Sequence, residues 1–191
     1  MKFNPFRPGN IVAPGMFVGR IDELHAIEQC LYQTSHGNPQ HFLILGERGI
    51  GKSSLLMLVD GIARGAVKPL YSDDSVSFLT ISVDMGGVDS QTDIIRTIAR
   101  ELRTILSRTD ALKAKAIKTW EFLQHWEVLG VRYHAEDPRI NSDDERDNLA
   151  ERIIQLIEST KGSVEGVCII VDEADRPEPH AQLGEFVKLF S

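Results

Sequence analysis

The chain has 191 residues, of which 42% are hydrophobic and 26% are charged, and its formal net charge is −7. This composition is typical of a globular protein of one domain, or of one domain with an elaboration. A non-specific nucleic-acid binder is usually basic, so the negative charge argues against nucleic acid as a direct partner. No apolar run approaches the ~20 residues that a membrane helix needs, and no secretory signal is evident. The two isolated cysteines, Cys30 and Cys168, favour a reducing compartment such as the cytoplasm.

Hydrophobic spacing and turn residues predict the secondary structure in chain order. Residues 1–15, rich in proline, glycine and asparagine, are predicted to form an extended arm. The elements that follow are a helix from 19, a strand at 41–45, a helix at 52–64, a strand at 76–85, a helix from 90, a helical stretch at 110–129, a helix from 142, a strand within 164–172 and a last helix from about 180. Ser90 and Asp93 form a capping-box-like start for the helix from residue 90.

Strands that alternate with helices predict an α/β fold, in which a parallel sheet is flanked by helices. The predicted strands are nearly continuous apolar runs, as expected when helices cover both faces of the sheet. Three strands make a small sheet for such a fold. We therefore expect that the sequence is a piece of a longer protein.

A glycine-rich loop separates the first predicted strand from the helix that follows it. The stretch from Gly46 to Ser53 matches G-x-x-x-x-G-K-[ST] between a strand and a helix, the context that a phosphate-binding loop requires. Glycines adopt positive φ and carry no Cβ, so the backbone folds around a phosphate, and the helix N-terminus adds partial positive charge. Lys52 would reach the β- and γ-phosphates of a nucleotide, and the Ser53 hydroxyl would bind Mg²⁺. The predicted phosphate ligands are Gly46, Gly49, Ile50, Gly51, Lys52, Ser53 and Ser54. The spacing does not fit the dinucleotide-binding pattern G-x-G-x-x-G.

Two acids follow the last predicted strand. Ligands of a parallel sheet gather beyond the carboxyl ends of its strands, so Asp172 is expected near Ser53, holding Mg²⁺ through water. Glu173, one residue further, would polarise the water that attacks the γ-phosphate. Asp84 ends the preceding strand, and it is either a polar switch near Glu173 or a solvated acid.

The stretch FVGRIDEL, Phe17 to Leu24, resembles the F-x-G-R-x-x-E-L signature of AAA+ and STAND-type ATPases. Origin-recognition ATPases and bacterial signalling ATPases share that signature, and its order with the phosphate loop and the D-E pair matches this chain. The resemblance implies a three-layer P-loop NTPase fold, here an incomplete AAA+ core. It implies that Phe17, Val18 and Gly19 line the adenine pocket and that Arg20 lies near the nucleotide.

The resemblance also implies a domain organisation and a set of partners. The P-loop domain would span 16–191 after the arm at 1–15, with a helical insertion at about 110–141. The insertion holds Trp120 and Trp126, on a helix that either packs against its own domain or binds a partner. The ligands would be ATP and Mg²⁺, and the protein would be a homo-oligomer that controls an effector protein, with no membrane partner.

Some parts of an AAA+ ATPase cannot be matched to this sequence, namely the sensor strand, the arginine finger and the helical lid. Because an arginine finger is worth 10³–10⁵ in rate, we expect the chain alone to bind ATP and to hydrolyse it slowly. The resemblance favours a nucleotide-dependent signalling switch of the kind used in anti-phage defence. A nucleotide-gated scaffold without hydrolysis and a DNA-associated loader of the origin-recognition type remain alternatives. A small-molecule P-loop kinase is a further alternative, in which FVGR would have no role.

Overall fold

The computed structural model of the protein describes residues 19–70, 74–88, 90–108, 110–121, 123, 142–177 and 183–188. These residues form two compact units, one up to Val76 and one from Ser77 onward, and each is considered by itself. The predicted arm, Phe17 and Val18 lie outside the described residues, as does most of the predicted insertion with Trp126.

Two helices lie in the described part of the first unit, α1 (Ile21–Ser35) and α2 (Lys52–Ala63). Both helices bury one apolar face, and the face predicted for α1 is confirmed. The buried apolar residues are Leu24, Ile27 and Leu31 of α1 and Leu55, Leu58, Val59 and Ile62 of α2. Gly65 ends the second helix with φ of 71°, the left-handed turn that glycine adopts most easily.

The predicted strand at 41–45 is wrong. Residues 41–47 have no regular secondary structure, and the side chains of Leu43 and Leu45 are 73% and 78% exposed. Apolar, β-prone residues favour a strand, but a strand forms only when a neighbouring segment supplies ladder hydrogen bonds. No described segment of this unit pairs with residues 41–47 in this way.

The second unit is built on a parallel pair of strands, β1 (Phe78–Asp84) and β2 (Gly166–Asp172). The register pairs Phe78 with Gly166 and runs through to Asp84 with Asp172, so both strands end at the same edge. The described part of this unit includes the helices α3 (Gln91–Ser107), α4 (Asp110–Lys115), α5 (Ser142–Thr160) and α6 (Leu183–Lys188). The predicted α/β architecture with a parallel sheet flanked by helices is confirmed.

Helix α3 begins where the sequence predicts and carries much of the core. The Ser90 hydroxyl accepts a hydrogen bond from the Asp93 amide at 3.2 Å and donates one to Asp93 Oδ2 at 2.6 Å. This reciprocal cap confirms the predicted helix start. The core that α3 shares with β1 and α5 is fully buried at Ile81, Ile94, Ile95, Ile98, Leu102, Leu149, Ile153 and Leu156.

The predicted helical stretch at 110–129 is interrupted within its described part. Helix α4 ends at Lys115, Ala116 lies in a turn, and residues 117–121 are helical again. Trp120 packs against the core of its own unit, which favours the first of the two roles predicted for it. None of the helices in the described part of the chain is both long and apolar enough to cross a lipid bilayer.

Candidate functional site

The glycine-rich loop runs directly into helix α2, as the sequence predicts. Gly51 is the N-cap of α2, with φ of 94°, and Gly49 has φ of 84°. Side chains with a Cβ rarely adopt these conformations, so glycine is required at both positions. A Cβ on either glycine would have no atom within 4 Å, so the requirement comes from the backbone and not from packing.

The side chain of Lys52 folds back over the loop. Its ammonium nitrogen donates to the carbonyl oxygen of Gly46 at 2.7 Å and to that of Glu47 at 3.0 Å. An ammonium group carries three donors, so one remains for another acceptor beside the loop. The loop therefore closes around a positive charge at the start of α2.

The first turn of α2 adds further donors. Ser53 is half-buried and Ser54 is buried. Because the N-cap is a glycine, no N-cap side chain satisfies the first amide groups of the helix, and such a terminus attracts anions. An ammonium, a serine hydroxyl and helix amides together are suited to a phosphate group.

The guanidinium of Arg20 contacts the main chain of the same loop. Its Nη2 atom donates to the Ile50 carbonyl oxygen at 2.6 Å, and its own φ is 55°. Sequence reasoning expected Arg20 near the nucleotide and missed this contact, which joins residues 30 positions apart. The sequence contains no signal for this contact, because nothing in the residues around Arg20 indicates a partner 30 positions away.

The acid pair lies at the carboxyl edge of the parallel strands. Asp172 stands opposite Asp84 in the register, and its Oδ1 atom accepts from the Glu173 amide at 2.9 Å. Asp84 Oδ1 accepts from the Gly86 amide at 2.7 Å. The two strand ends therefore place three carboxylates in one short region of the second unit.

The Glu173 carboxylate lies over Gly86. A Cβ on residue 86 would stand 2.8 Å from Glu173 Oε2 and 3.0 Å from Asp84 Oδ1. The proximity of these two carboxylates supports the first of the roles predicted for Asp84, although Asp84 is also exposed. Sequence reasoning missed Gly86, and the available signal was the Gly-Gly pair that follows β1 after one residue, Met85.

Arg176 forms an ion pair with Glu173, and their atoms Nε and Oε2 are 3.4 Å apart. Glu173 itself has φ of 51°, and its carbonyl accepts from the Arg176 amide at 2.9 Å. A tight turn thus brings Arg176 back onto Glu173. Both side chains remain largely exposed.

A glycine loop that leads into a helix, closed by a lysine, and acids at the carboxyl edge of a parallel sheet define a P-loop nucleotide-binding protein. The chain belongs to the AAA ATPase domain family, whose sequence model matches residues 16–189. It is therefore a nucleotide-binding domain of the ATPase class.

A shorter likeness connects the chain to an uncharacterized HTH-type transcriptional regulator from Methanocaldococcus jannaschii. The two sequences are 40% identical over 60 residues, which is 31% of this chain and 15% of the regulator. The matched segment thus spans only about 15% of the length of this curated relative. No solved structure matches the chain.

Proposed function

We propose that the chain binds and hydrolyses Mg·ATP as the switch domain of a STAND-type AAA+ ATPase, in the cytoplasm. The observation that carries the proposal is the conformation of the phosphate loop. Gly49 and Gly51 take left-handed conformations, and the Lys52 ammonium bonds to two loop carbonyls at the start of α2. In this arrangement the main-chain amides and the ammonium would donate to the same anion.

The nucleotide would be held at two ends. The loop from Gly46 to Ser54 would bind its phosphates, and Phe17, Val18 and Gly19 would line the adenine pocket. Charge-assisted hydrogen bonds contribute about 1.5–3 kcal/mol each, so several converging donors outweigh the desolvation of the phosphates. The preference for ATP over GTP depends in this proposal on the adenine side alone.

The chemistry of the available donors fits Mg²⁺, which would be held by the Ser53 hydroxyl and the Asp172 carboxylate. Among the described residues no cluster of three histidine, cysteine or acidic side chains exists that would hold a metal. Magnesium in nucleotide sites does not need one, because it keeps several waters and binds one or two carboxylates plus phosphate oxygens. When bound, it would neutralise charge on the β- and γ-phosphates.

Glu173 is the residue proposed to activate the attacking water. Its carboxylate is exposed enough to accept a water proton, and it lies beside Asp84 and Arg176. We further propose that the isolated chain turns over more slowly than about one ATP per second. In P-loop NTPases a transition-state arginine contributes 10³–10⁵ in rate, and a neighbouring copy would supply it here.

ATP binding would then control assembly. The γ-phosphate would order the segments that contact it, and neighbouring copies in a homo-oligomer would sense that order and engage an effector protein. Bacterial signalling and anti-phage defence use switches of this type. In the alternative role of a scaffold, ATP binding alone would drive assembly and hydrolysis would have no part.

Glu173→Gln separates these roles. If hydrolysis resets the switch, the variant retains ATP, loses steady-state turnover and shifts toward the oligomer in light scattering with ATP. Glu158→Gln, which changes an exposed glutamate of α5 in the same unit, is the matched control. Equal assembly of the parent and Glu173→Gln in ATP, with no turnover by the parent, would support the scaffold and contradict the switch.

The likeness to an HTH-type transcriptional regulator supports a second candidate function, a nucleotide-responsive domain in a DNA-associated protein. With a net charge of −7, this chain would not itself supply the basic surface, so another domain or partner would contact DNA. The test is DNA binding by the full-length protein over a salt series, with ATP and with ADP. A steep salt slope that depends on the nucleotide supports this candidate, and no binding at low salt contradicts it.

A further inference from the structure

The side chain of Arg20 anchors the main chain of the phosphate loop. The bond from its guanidinium to the Ile50 carbonyl is 2.6 Å long, at the short end for a charge-assisted hydrogen bond. Arg20 is the N-cap residue of α1, and its carbonyl accepts from the Leu24 amide at 3.0 Å. The contact therefore ties the first turn of α1 to the end of the loop.

The backbone at Arg20 is strained. Its φ of 55° and ψ of 43° lie in the left-handed region, directly after Gly19 with φ of 92°. Glycine or asparagine would adopt this conformation at lower cost than arginine. A strained residue persists where surrounding contacts hold it, and the bond to Ile50 is such a contact.

Because the peptide bond is planar, the hydrogen bond from Arg20 to the Ile50 carbonyl also orients the amide of the next residue, Gly51. The carbonyl of Ile50 and the N–H of Gly51 belong to one peptide group, in which they point in opposite directions when the bond is trans. The described residues contain no cis peptide bond. Because Arg20 holds the carbonyl, it also fixes the Gly51 N–H on the side away from the guanidinium. Gly51 has no Cβ, so without the anchor this peptide group would rotate more easily.

We infer that Arg20 is a positioning residue for the phosphate loop and acts through the Ile50–Gly51 peptide group, not by contact with the base or the sugar. This inference rests on the proposed function, since it requires that the loop binds phosphates. In this inference the arginine of the FVGR stretch increases the affinity of the loop for phosphates. The ligand class on which it acts is any anion that carries linked phosphates, with or without a nucleoside.

A probe without a base tests the inference. Calorimetry compares Mg·ATP with magnesium tripolyphosphate for the parent, Arg20→Gly, Arg20→Asn and Arg20→Lys. Glycine and asparagine tolerate the left-handed conformation, so both variants keep the helix start while they remove the guanidinium. Arg64, the exposed C-cap residue of α2, is paired with Asp60, and Arg64→Gln controls for the loss of one positive charge in the same unit.

We expect Arg20→Gly and Arg20→Asn to lower the affinity for Mg·ATP and the affinity for magnesium tripolyphosphate by the same factor. This factor is about tenfold, for the loss of one charge-assisted hydrogen bond. Lysine retains a donor and should recover part of the affinity, whereas Arg64→Gln should leave both affinities unchanged. In ¹⁵N-glycine spectra without ligand, the Gly51 amide should shift in Arg20→Gly and stay in place in Arg64→Gln.

Two results would overturn the inference while the proposed function stands. One is a loss of ATP affinity with unchanged tripolyphosphate affinity, which would place Arg20 on the nucleoside. The other is an unchanged affinity of Arg20→Gly for both ligands, while Lys52→Ala no longer binds either ligand. If the folded parent binds neither ligand, the proposed function fails and the inference fails with it.

Discussion

The carboxylate of Glu173 lies so close to Gly86 that a Cβ on residue 86 would stand 2.8 Å from Oε2. Glycine at this position therefore leaves the space that is occupied by the carboxylate of Glu173, the proposed catalytic base. The two residues lie on different strand ends, one after β1 and one after β2, and the parallel register brings them together.

Gly86→Ala is expected to lower ATP turnover at least tenfold, because the added methyl group displaces the Glu173 carboxylate. The displaced group is the end of a flexible side chain, so the free energy of unfolding should fall by less than about 1 kcal/mol. Turnover, ATP affinity and urea unfolding are measured on the same preparation. Unchanged turnover in a folded Gly86→Ala variant would contradict the role of this contact.

Gly87→Ala is the matched control, and it is expected to change stability but not turnover. Gly87 has φ of 92°, and a Cβ there would meet no atom within 4 Å. The substitution should therefore destabilise the fold by about 1 kcal/mol through backbone strain and leave turnover per folded molecule unchanged.

Arg176→Gln is expected to raise turnover. The Glu173 carboxylate must leave its ion pair with Arg176 to take a proton from water, and an exposed pair of this kind is worth about 0.2–1 kcal/mol. This range corresponds to a roughly 1.4- to fivefold rate increase in single-turnover assays with radiolabelled ATP. Stability should not change measurably. A fall in turnover would show that Arg176 assists hydrolysis instead of competing for the carboxylate.

The sequence predicted those elements whose pattern is local. Helix α1 followed from the spacing of Leu24, Ile27 and Leu31, and the start of α3 from Ser90 and Asp93, because each signal lies within a few turns of helix. The strand at 41–45 could not be predicted reliably in this way, since a strand depends on a distant segment for its hydrogen bonds.

The same distinction holds for the candidate site. The loop could be found because its residue types and spacing occur together in a single stretch of sequence. The bond from Arg20 to Ile50 and the contact of Glu173 with Gly86 join segments far apart in the chain. Neither has a periodic signature, so only the folded backbone reveals them.

Ser90→Ala should destabilise the protein by about 1 kcal/mol, because the Asp93 amide loses its capping acceptor. Ser107→Ala is the matched control at the other end of α3, where the hydroxyl donates to the Thr104 carbonyl in an exposed position. Urea unfolding measures both. Equal effects of the two substitutions would mean that the cap contributes no more than a surface hydroxyl.

Burial raises the pKa of the Cys30 thiol above its ordinary value of 9.0. The thiolate is the reactive form, so iodoacetamide should modify Cys30 more slowly in the native protein than in urea, with the rate rising at higher pH. The Cys30 thiol ionises at lower pH in the unfolded chain than in the folded protein. Its contribution to the free energy of unfolding is therefore constant below pH 9.0 and declines as the pH rises above that value. Peptide mass spectrometry separates Cys30 from Cys168. Native and unfolded rates that coincide at every pH would contradict the pKa shift.

The most direct measurement is titration calorimetry of folded protein with Mg·ATP, comparing the parent with Lys52→Ala and with Lys118→Ala as a control for charge. The parent and Lys118→Ala should bind one nucleotide per chain with the same affinity. Lys52→Ala should lose at least tenfold in affinity, because the ammonium held at the Gly46 and Glu47 carbonyls is gone. Heats of binding that are absent in the parent, or identical in the parent and Lys52→Ala, would contradict the account.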